Sequence, residues 1–254
     1  MALIGVKQEE ELTIKSFSEH DAVVFTNMNL TKFVSILIVV AGIMAITGSF
    51  AGIFSINYSE GLEENRVLYR FVQLFDLNLE ANIPAWYSGF LMILISGLCF
   101  LIFKFDSPKT KKYFFIISVM FLFMSMDEIA SVHEIFNNPV RNSLNLGGLL
   151  YWSWIIPGMI AVVLFALYFL KFLFLLDQKF RMLFLLSGFI YLSGAIGLEM
   201  IGGWLYSNKL GSSMLYVFEV VIEESLEMFG MLLFISTLIK YIKSFAETVQ
   251  VIFR

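Results

Sequence analysis

Six uninterrupted apolar segments constrain the fold of this chain more than any other feature. A helix needs about 20 mostly apolar residues to cross the core of a bilayer. Segments of that length lie at 33–55, 84–104, 113–136, 149–171, 182–205 and 214–240. The chain is 59% hydrophobic and only 15% charged, which is typical of a polytopic membrane protein. The sequence therefore predicts an all-α integral membrane protein with six transmembrane helices.

The distribution of basic residues predicts how the chain is oriented. All but four of the 17 lysines and arginines fall before the first segment, after the last, or between segments two and three or four and five. The positive-inside rule then places both termini in the cytoplasm of a bacterial inner membrane. The first segment has no small-residue cleavage pattern after it, so we expect it to remain as a span.

This orientation divides the chain into three parts. We expect a cytoplasmic leader at 1–32, a transmembrane domain at 33–240 and a cytoplasmic tail at 241–254. The longest outer loop, 56–83, contains "RVLYRFVQLF", whose helical apolar spacing predicts a helix that lies partly in the membrane interface. Tryptophans near the outer boundary are expected to anchor the spans there, and they are Trp86, Trp152, Trp154 and Trp204.

Acidic residues inside the predicted spans are the main functional signal. No basic side chain inside a span is available to pair with them, and an ionised Asp at a helix centre costs about 2.5–3.5 kcal/mol. At about 1.5 Å of rise per residue, all of them fall in the outer half of the bilayer. Protons, bound cations or water must therefore neutralise the group, which comprises Asp127, Glu128, Glu134, Glu199, Glu219, Glu223, Glu224 and Glu227.

Helical spacing predicts which of these side chains point together. Asp127 and Glu134 are seven residues apart and would share a face, whereas Glu128 and His133 would lie on opposite sides of that face. In the last span, three glutamates recur every four residues and form a stripe. Glu199 lies within "SGAIGLEMIGGW", a small-residue surface that indicates close helix packing.

Converging carboxylates with one imidazole predict a hard, oxygen-rich cation site. Such a site suits Mn, Fe, Mg or Ca, and zinc less well. The first candidate ligands are Asp127, Glu134, Glu199, Glu223 and Glu227, followed by Glu219, Glu224, Glu128 and His133. A ferritin-like di-iron site would require altered ligands, because it normally uses two Glu-x-x-His pairs.

Other classes of protein are excluded by missing residues. The only histidines are His20 and His133, so a bis-histidine haem is not expected. No span contains a suitably placed lysine for retinal, and no basic stripe indicates nucleic acid. Cys99 is the only cysteine, which excludes an internal disulfide and a thiolate metal site.

Three motifs carry a resemblance to a known family. They are "DEIASVHE", "GLEM" and "EESLEM", within a region from "FDLNLEANIPAWYS" to the end of the sixth segment. Over this region the chain resembles an uncharacterised family of bacterial multi-spanning inner-membrane proteins. That family has no known activity, so the resemblance implies none for this chain.

Three functions remain open at the level of sequence. The first is a membrane metalloenzyme that acts on a lipid or quinone, with a metal that activates water or oxygen. The second is a proton or cation transporter, and the third is a non-catalytic subunit whose protonated carboxyls only pack. The inner halves of the acid-bearing spans contain no acidic residue. This absence favours a site that is open to one side.

Overall fold

A computed structural model describes residues 30–58 and 65–245. The described residues form helices, turns and loops, with no strand among them. Six helices are long and apolar enough to cross a membrane, and they are Lys32–Asn57, Ile83–Phe105, Lys111–Ala130, Ile155–Leu175, Gln178–Ser207 and Met214–Phe245. The chain is therefore an all-α membrane protein with six spans, as the sequence predicts.

The helices are numbered here in chain order. They are α1 (Leu30–Asn57), α2 (Arg66–Gln73), α3 (Ile83–Phe105), α4 (Lys111–Ala130), α5 (Asn137–Leu144), α6 (Ile155–Leu175), α7 (Gln178–Leu192), α8 (Glu199–Ser207) and α9 (Met214–Phe245). A π-helical segment, Ser193–Leu198, joins α7 to α8, and short 3₁₀ helices lie at His133–Phe136 and Gly148–Leu150.

The connections between spans differ at the two ends of the bundle. One end, called the loop end, carries the described segments 65–82, 131–154 and 208–213. The opposite end, called the connection end, carries the short turns 106–110 and 176–177. The segment 65–82 contains α2, at the position where the sequence predicts a helix, and the location of this helix on a membrane surface stays a prediction.

Helix α9 is the centre of the bundle, because it packs against α1, α3, α7, α8 and the π-helical segment. Glycines permit the closest of these approaches. A Cβ atom added to Gly194 would lie 2.8 Å from the backbone oxygen of Glu223, and one added to Gly230 would lie 2.7 Å from the backbone nitrogen of Tyr191. The small-residue surface predicted around Glu199 therefore packs against the helix that carries most of the glutamates.

An apolar core fills the bundle toward the connection end. Its fully buried side chains include Phe114, Phe172, Ile102 and Leu238. The Phe114 and Phe172 rings meet edge to face with centroids 5.2 Å apart, which packs α6 against α4 through aromatic side chains. This core separates the loop end from the connection end by side chains that carry no charge.

Two predicted span boundaries are wrong. The third span does not continue to residue 136, because Ser131 adopts the left-handed conformation (φ 51°) and its N–H donates to the Asp127 carbonyl. The fourth span begins at Ile155 rather than 149, with Pro157 in its first turn, where a missing N–H costs least. Both changes lengthen the connecting segment 131–154 at the loop end, which contains α5 and the two short 3₁₀ helices.

Parts of the predicted termini lie outside the described residues. Of the leader 1–32, only residues 30–32 are described, and they begin α1. Of the tail 241–254, residues 241–245 end α9. His20 belongs to the part that the structure does not describe.

Candidate metal centre

The break after α4 turns His133 back onto the last turn of that helix. Its backbone N–H donates to Oδ1 of Asp127 over 2.8 Å, and its ring Nδ1 lies 3.0 Å from Oδ2 of the same carboxylate. A continuous helix would keep these side chains apart, as the sequence predicts for a straight span. The left-handed Ser131 is therefore the local reason that Asp127 and His133 meet.

Glu80 reaches the same place from the segment that precedes α3. Asn82 holds this segment, since its Nδ2 donates to the Asp76 carbonyl over 2.6 Å and its Oδ1 caps α3 by accepting from Ala85 N over 3.0 Å. The Glu80 carboxylate accepts a hydrogen bond from the Ser131 hydroxyl. Its Oε1 lies 3.5 Å from Nε2 of His133.

Glu80, His133 and Glu134 form a compact group of potential ligands. One ligand atom from each lies within 4.8 Å of the others. Glu80 and His133 are partly buried, with 29% and 26% of their side-chain surfaces exposed, and Glu134 is exposed. Two carboxylates and one imidazole at this spacing match the ligand types of Mn and Fe sites, and the carboxylates also suit Mg and Ca.

The electrostatics of the group favour a cation. Burial raises the pKa of Glu80 to about 7, and the negative charges of Glu134, Glu128 and Asp127 add to this rise while His133 opposes it. For His133, burial lowers the pKa, but the hydrogen bond and charge of Asp127, helped by nearby glutamates, raise it more, so its pKa lies above its ordinary value. The rise for His133, and the smaller part of the rise for Glu80 that neighbouring carboxylates cause, indicate an excess of negative charge at the loop end.

Trp154 connects this group to the interior of the bundle. Its ring lies edge-on to the His133 ring with centroids 4.8 Å apart, and its indole N–H donates to Oε1 of Glu199 over 3.2 Å. The backbone N–H of Trp154 is itself bound by Oδ1 of Asn137 over 3.0 Å. The sequence predicts Trp154 only as an interfacial anchor, and the structure places it between two acidic regions.

The remaining predicted ligands lie deeper in the spans and do not join this compact group. Among the described residues, no other group of three potential ligands has its ligand atoms within 4.8 Å. Glu223 interacts electrostatically with Glu199, Glu227 and Glu219, and Glu224 interacts with Glu128 and Glu199. The predicted set therefore divides into a compact group at the loop end and a dispersed set within the spans.

The structure brings together only part of the predicted site and adds one residue. His133 and Glu134 join the compact group, and Asp127 orients His133. Glu80 is absent from the predicted ligands because it lies outside any apolar segment. The available signal was its position two residues before the Asn82-x-Pro84 motif, which marks the start of a helix and places Glu80 at the same membrane boundary as Glu134.

The fold and the acidic groups define a six-span membrane protein with a carboxylate–histidine group at one end of its bundle. The family model for a domain of unknown function, DUF8692, matches residues 33–241, so the chain belongs to that family. Comparison with curated proteins and with solved structures finds no match.

Proposed function

We propose that Glu80, His133 and Glu134 bind a divalent cation, which makes the protein a membrane metalloprotein. The observation that carries the proposal is the approach of one ligand atom from each residue to within 4.8 Å of the others. The oxygen-rich set favours Mn, Fe, Mg or Ca over Zn. Water or a substrate would complete the coordination, because a catalytic metal site leaves a position open.

The contacts behind His133 support this assignment. A metal-bound histidine almost always donates its second ring N–H to a carboxylate or a carbonyl, which fixes its tautomer and orientation. Asp127 supplies such a carboxylate to Nδ1 over 3.0 Å, so that Nε2 is directed to the side of Glu80. Trp154 packs against the same ring and limits its rotation.

The surroundings favour a membrane-soluble substrate, a lipid or a quinone. Large apolar side chains next to the group are exposed, including Ile129, Ile135 and Phe136. In the six spans as described, every acidic residue lies in the half toward the loop end, and the apolar core fills the other half. This one-sided arrangement favours an enzyme over a carrier. When bound, the metal would supply Lewis-acid or redox chemistry to such a substrate.

The orientation of the chain is part of the same proposal. Lysines and arginines concentrate at the connection end, so that end would face the cytoplasm of a bacterial inner membrane. Both termini would then be cytoplasmic, and the cation group would face outward.

One observation favours a transporter as the second candidate. Electrostatic interactions link Glu80 to Glu224, and Glu224 to Glu128 and Glu199, which extends the acidic region from the loop end into the spans. Ionisable residues within spans usually mark ion or proton pathways. A transporter would also need a path through the apolar core, and the described spans offer no charged residue there.

Elemental analysis of the gently purified protein tests the metal proposal. We expect a stoichiometric metal in the wild type, its loss in Glu80→Gln and reduced content in Asp127→Asn. Glu227→Gln, which alters a carboxyl outside the compact group, should retain the metal, as should Asp106→Asn at the connection end. A folded wild-type protein that binds neither Mn²⁺, Fe²⁺, Mg²⁺ nor Ca²⁺ would refute the proposal.

A further inference from the structure

Four glutamates inside the spans form what is called here the deep carboxyl cluster: Glu199, Glu219, Glu223 and Glu227. Glu219 and Glu223 are buried, with 6% and 9% of their surfaces exposed. Neither carboxyl oxygen of Glu219 has a hydrogen-bond partner among the described residues. A buried polar group without a partner costs free energy, so its environment must include something that binds to it.

The backbone around this cluster is shaped to admit the carboxyl groups. A Cβ atom on Gly202 would lie 2.8 Å from Oε2 of Glu219, and one on Gly194 would lie 2.9 Å from Cγ of Glu227. Gly194 lies in the π-helical segment Ser193–Leu198, and Gly202 lies about one turn beyond it in α8; such wide π turns occur frequently at functional sites. Any other residue at Gly202 would displace Glu219.

The titratable groups around the cluster are acids, phenols and one imidazole. They are Glu80, Glu128 and Glu224, the hydroxyls of Tyr191, Tyr206 and Tyr216, and the ring of His133, which interacts with Glu199. The lysines and arginines of the spans lie in the turns nearest the connection end, beyond the apolar core. Four ionised carboxylates would therefore exceed the one positive charge that a protonated His133 could supply near Glu199.

Protons suit the cluster better than a metal ion. A single metal needs several ligand atoms around one point, and among the described residues only the group at Glu80 has that spacing. Each carboxyl can instead bind its own proton and become neutral, which removes the cost of burying its charge. A neutral carboxyl also gains a donor for its neighbours, since Glu199, Glu219 and Glu227 all interact with Glu223.

We propose that the deep carboxyl cluster binds protons at neutral pH and releases them to water when a divalent cation occupies Glu80, His133 and Glu134. The release rests on the proposed function, and the proton binding does not. Glu227 interacts with Glu224 and Glu128, and Glu128 interacts with Asp127 and His133, so the positive charge of a cation acts on the cluster through neighbouring acids. The cluster thus serves as a proton store for the metal site.

Infrared spectroscopy of the full chain in lipid nanodiscs tests the proton binding. We expect a carboxylic-acid C=O band at neutral pH that shifts in D₂O and loses intensity in Glu219→Gln and in Glu223→Gln. Asp106→Asn, at the connection end, should leave the band unchanged. If the glutamine variants do not fold, wild-type protein labelled with ¹³C at the glutamate carboxyl should shift the band. Absence of the band, or a band insensitive to both the variants and the label, would overturn the proposal.

Adding Mn²⁺ to the same samples tests the release. Loss of part of the band on Mn²⁺ binding, with protons appearing in a weakly buffered solution, would support it. The number of protons released should fall in Glu223→Gln, whose Mn²⁺ binding is retained. Bound Mn²⁺ with an unchanged band would overturn the release. A band without any Mn²⁺ binding would refute the metal site and the release, and leave the proton binding supported.

Discussion

Both oxygens of the Asp127 carboxylate bind His133, one to its backbone N–H and the other to its ring Nδ1. The two residues are six positions apart, and only the left-handed turn at Ser131 allows this double contact. The ring is consequently fixed with Nε2 on the side of Glu80, 3.5 Å from Oε1. This pair sets the geometry of the proposed metal site.

Replacing Asp127 by asparagine should weaken metal binding without removing a proposed ligand. We expect the affinity for Mn²⁺, measured by titration calorimetry, to fall about 10–100-fold, as for other carboxylates that orient a metal-bound histidine. Asp106→Asn is the matched control, because Asp106 accepts from the Tyr241 hydroxyl at the connection end. Equal affinities for the two variants would contradict the role given to Asp127.

Removing the indole N–H of Trp154 should destabilise the protein. Trp154→Phe keeps a ring beside His133 but leaves Glu199 without the donor that lies 3.2 Å from its Oε1. We expect the free energy of unfolding in mixed micelles to fall by about 0.5–1.5 kcal/mol, the net contribution of one hydrogen bond, because Glu199 is partly buried. Trp152→Phe alters a neighbouring indole and leaves that bond intact. If it costs as much as Trp154→Phe, the bond to Glu199 is not the cause.

Adding one methyl group at Gly194 should disturb the packing of the π-helical segment on α9. Its Cβ would lie 2.8 Å from the Glu223 carbonyl oxygen, which is backbone and cannot move aside easily. We expect Gly194→Ala to cost about 1–3 kcal/mol in unfolding free energy. Gly197→Ala is the control in the same segment, since its nearest contact would be 3.9 Å away, at the Leu192 oxygen. Similar stabilities for both variants would contradict this packing.

Asp76 should make stability depend on pH. Burial raises its pKa above the ordinary 3.8, and the N–H of Asn78 opposes this rise only in part. The folded protein therefore binds this proton more tightly than the unfolded chain does. The resulting stabilisation is fully present below pH 3.8 and is lost as the pH rises through the pKa of Asp76 in the folded protein. We expect the stability of the wild type relative to Asp76→Asn to fall over that range. A difference independent of pH, measured by thermal unfolding, would contradict the shift.

Sealed vesicles distinguish a one-sided site from a carrier. The core that contains Phe114 and Phe172 should block ions on the way to the connection end. We expect proteoliposomes loaded with a metal-sensitive dye to show no Mn²⁺ uptake above that of protein-free vesicles. Protein-free vesicles, and protein-free vesicles treated with a divalent-cation ionophore, set the lower and upper limits. Uptake that disappears in Glu80→Gln would instead establish transport.

Much of the fold follows from apolar segment length alone. All six predicted spans exist, because a long run of apolar residues has no stable arrangement in water and forms a helix in the bilayer. The ends of the spans were harder to predict. Ser131 follows an apolar helix with no glycine or proline to mark its end, and its left-handed conformation is stabilised by contacts with Asp127 and Glu80 from two different segments.

The sequence predicts a group of carboxylates with one imidazole, and the compact group in the structure includes only His133 and Glu134 of the predicted residues. Counting acids in the spans identified an acidic region on three helices, because an unpaired ionisable residue in a membrane is visible in the sequence. Neither Glu80 nor Trp154 is an ionisable residue inside an apolar segment, so the sequence does not single them out. Glu80 is an ordinary acid in a loop, and Trp154 resembles any interfacial aromatic until Glu199 is found 3.2 Å from its nitrogen.

The amino-acid sequence by itself determined that this chain forms six membrane-spanning helices and that their acids lie in one half of them, since both properties depend on residue type and position along one helix. Tertiary structure alone decided which acids meet. Glu80, His133 and Glu134 come together because a loop held by Asn82 lies beside the turn at Ser131. Such contacts depend on how separate segments pack, and periodicity within a single segment does not contain that information.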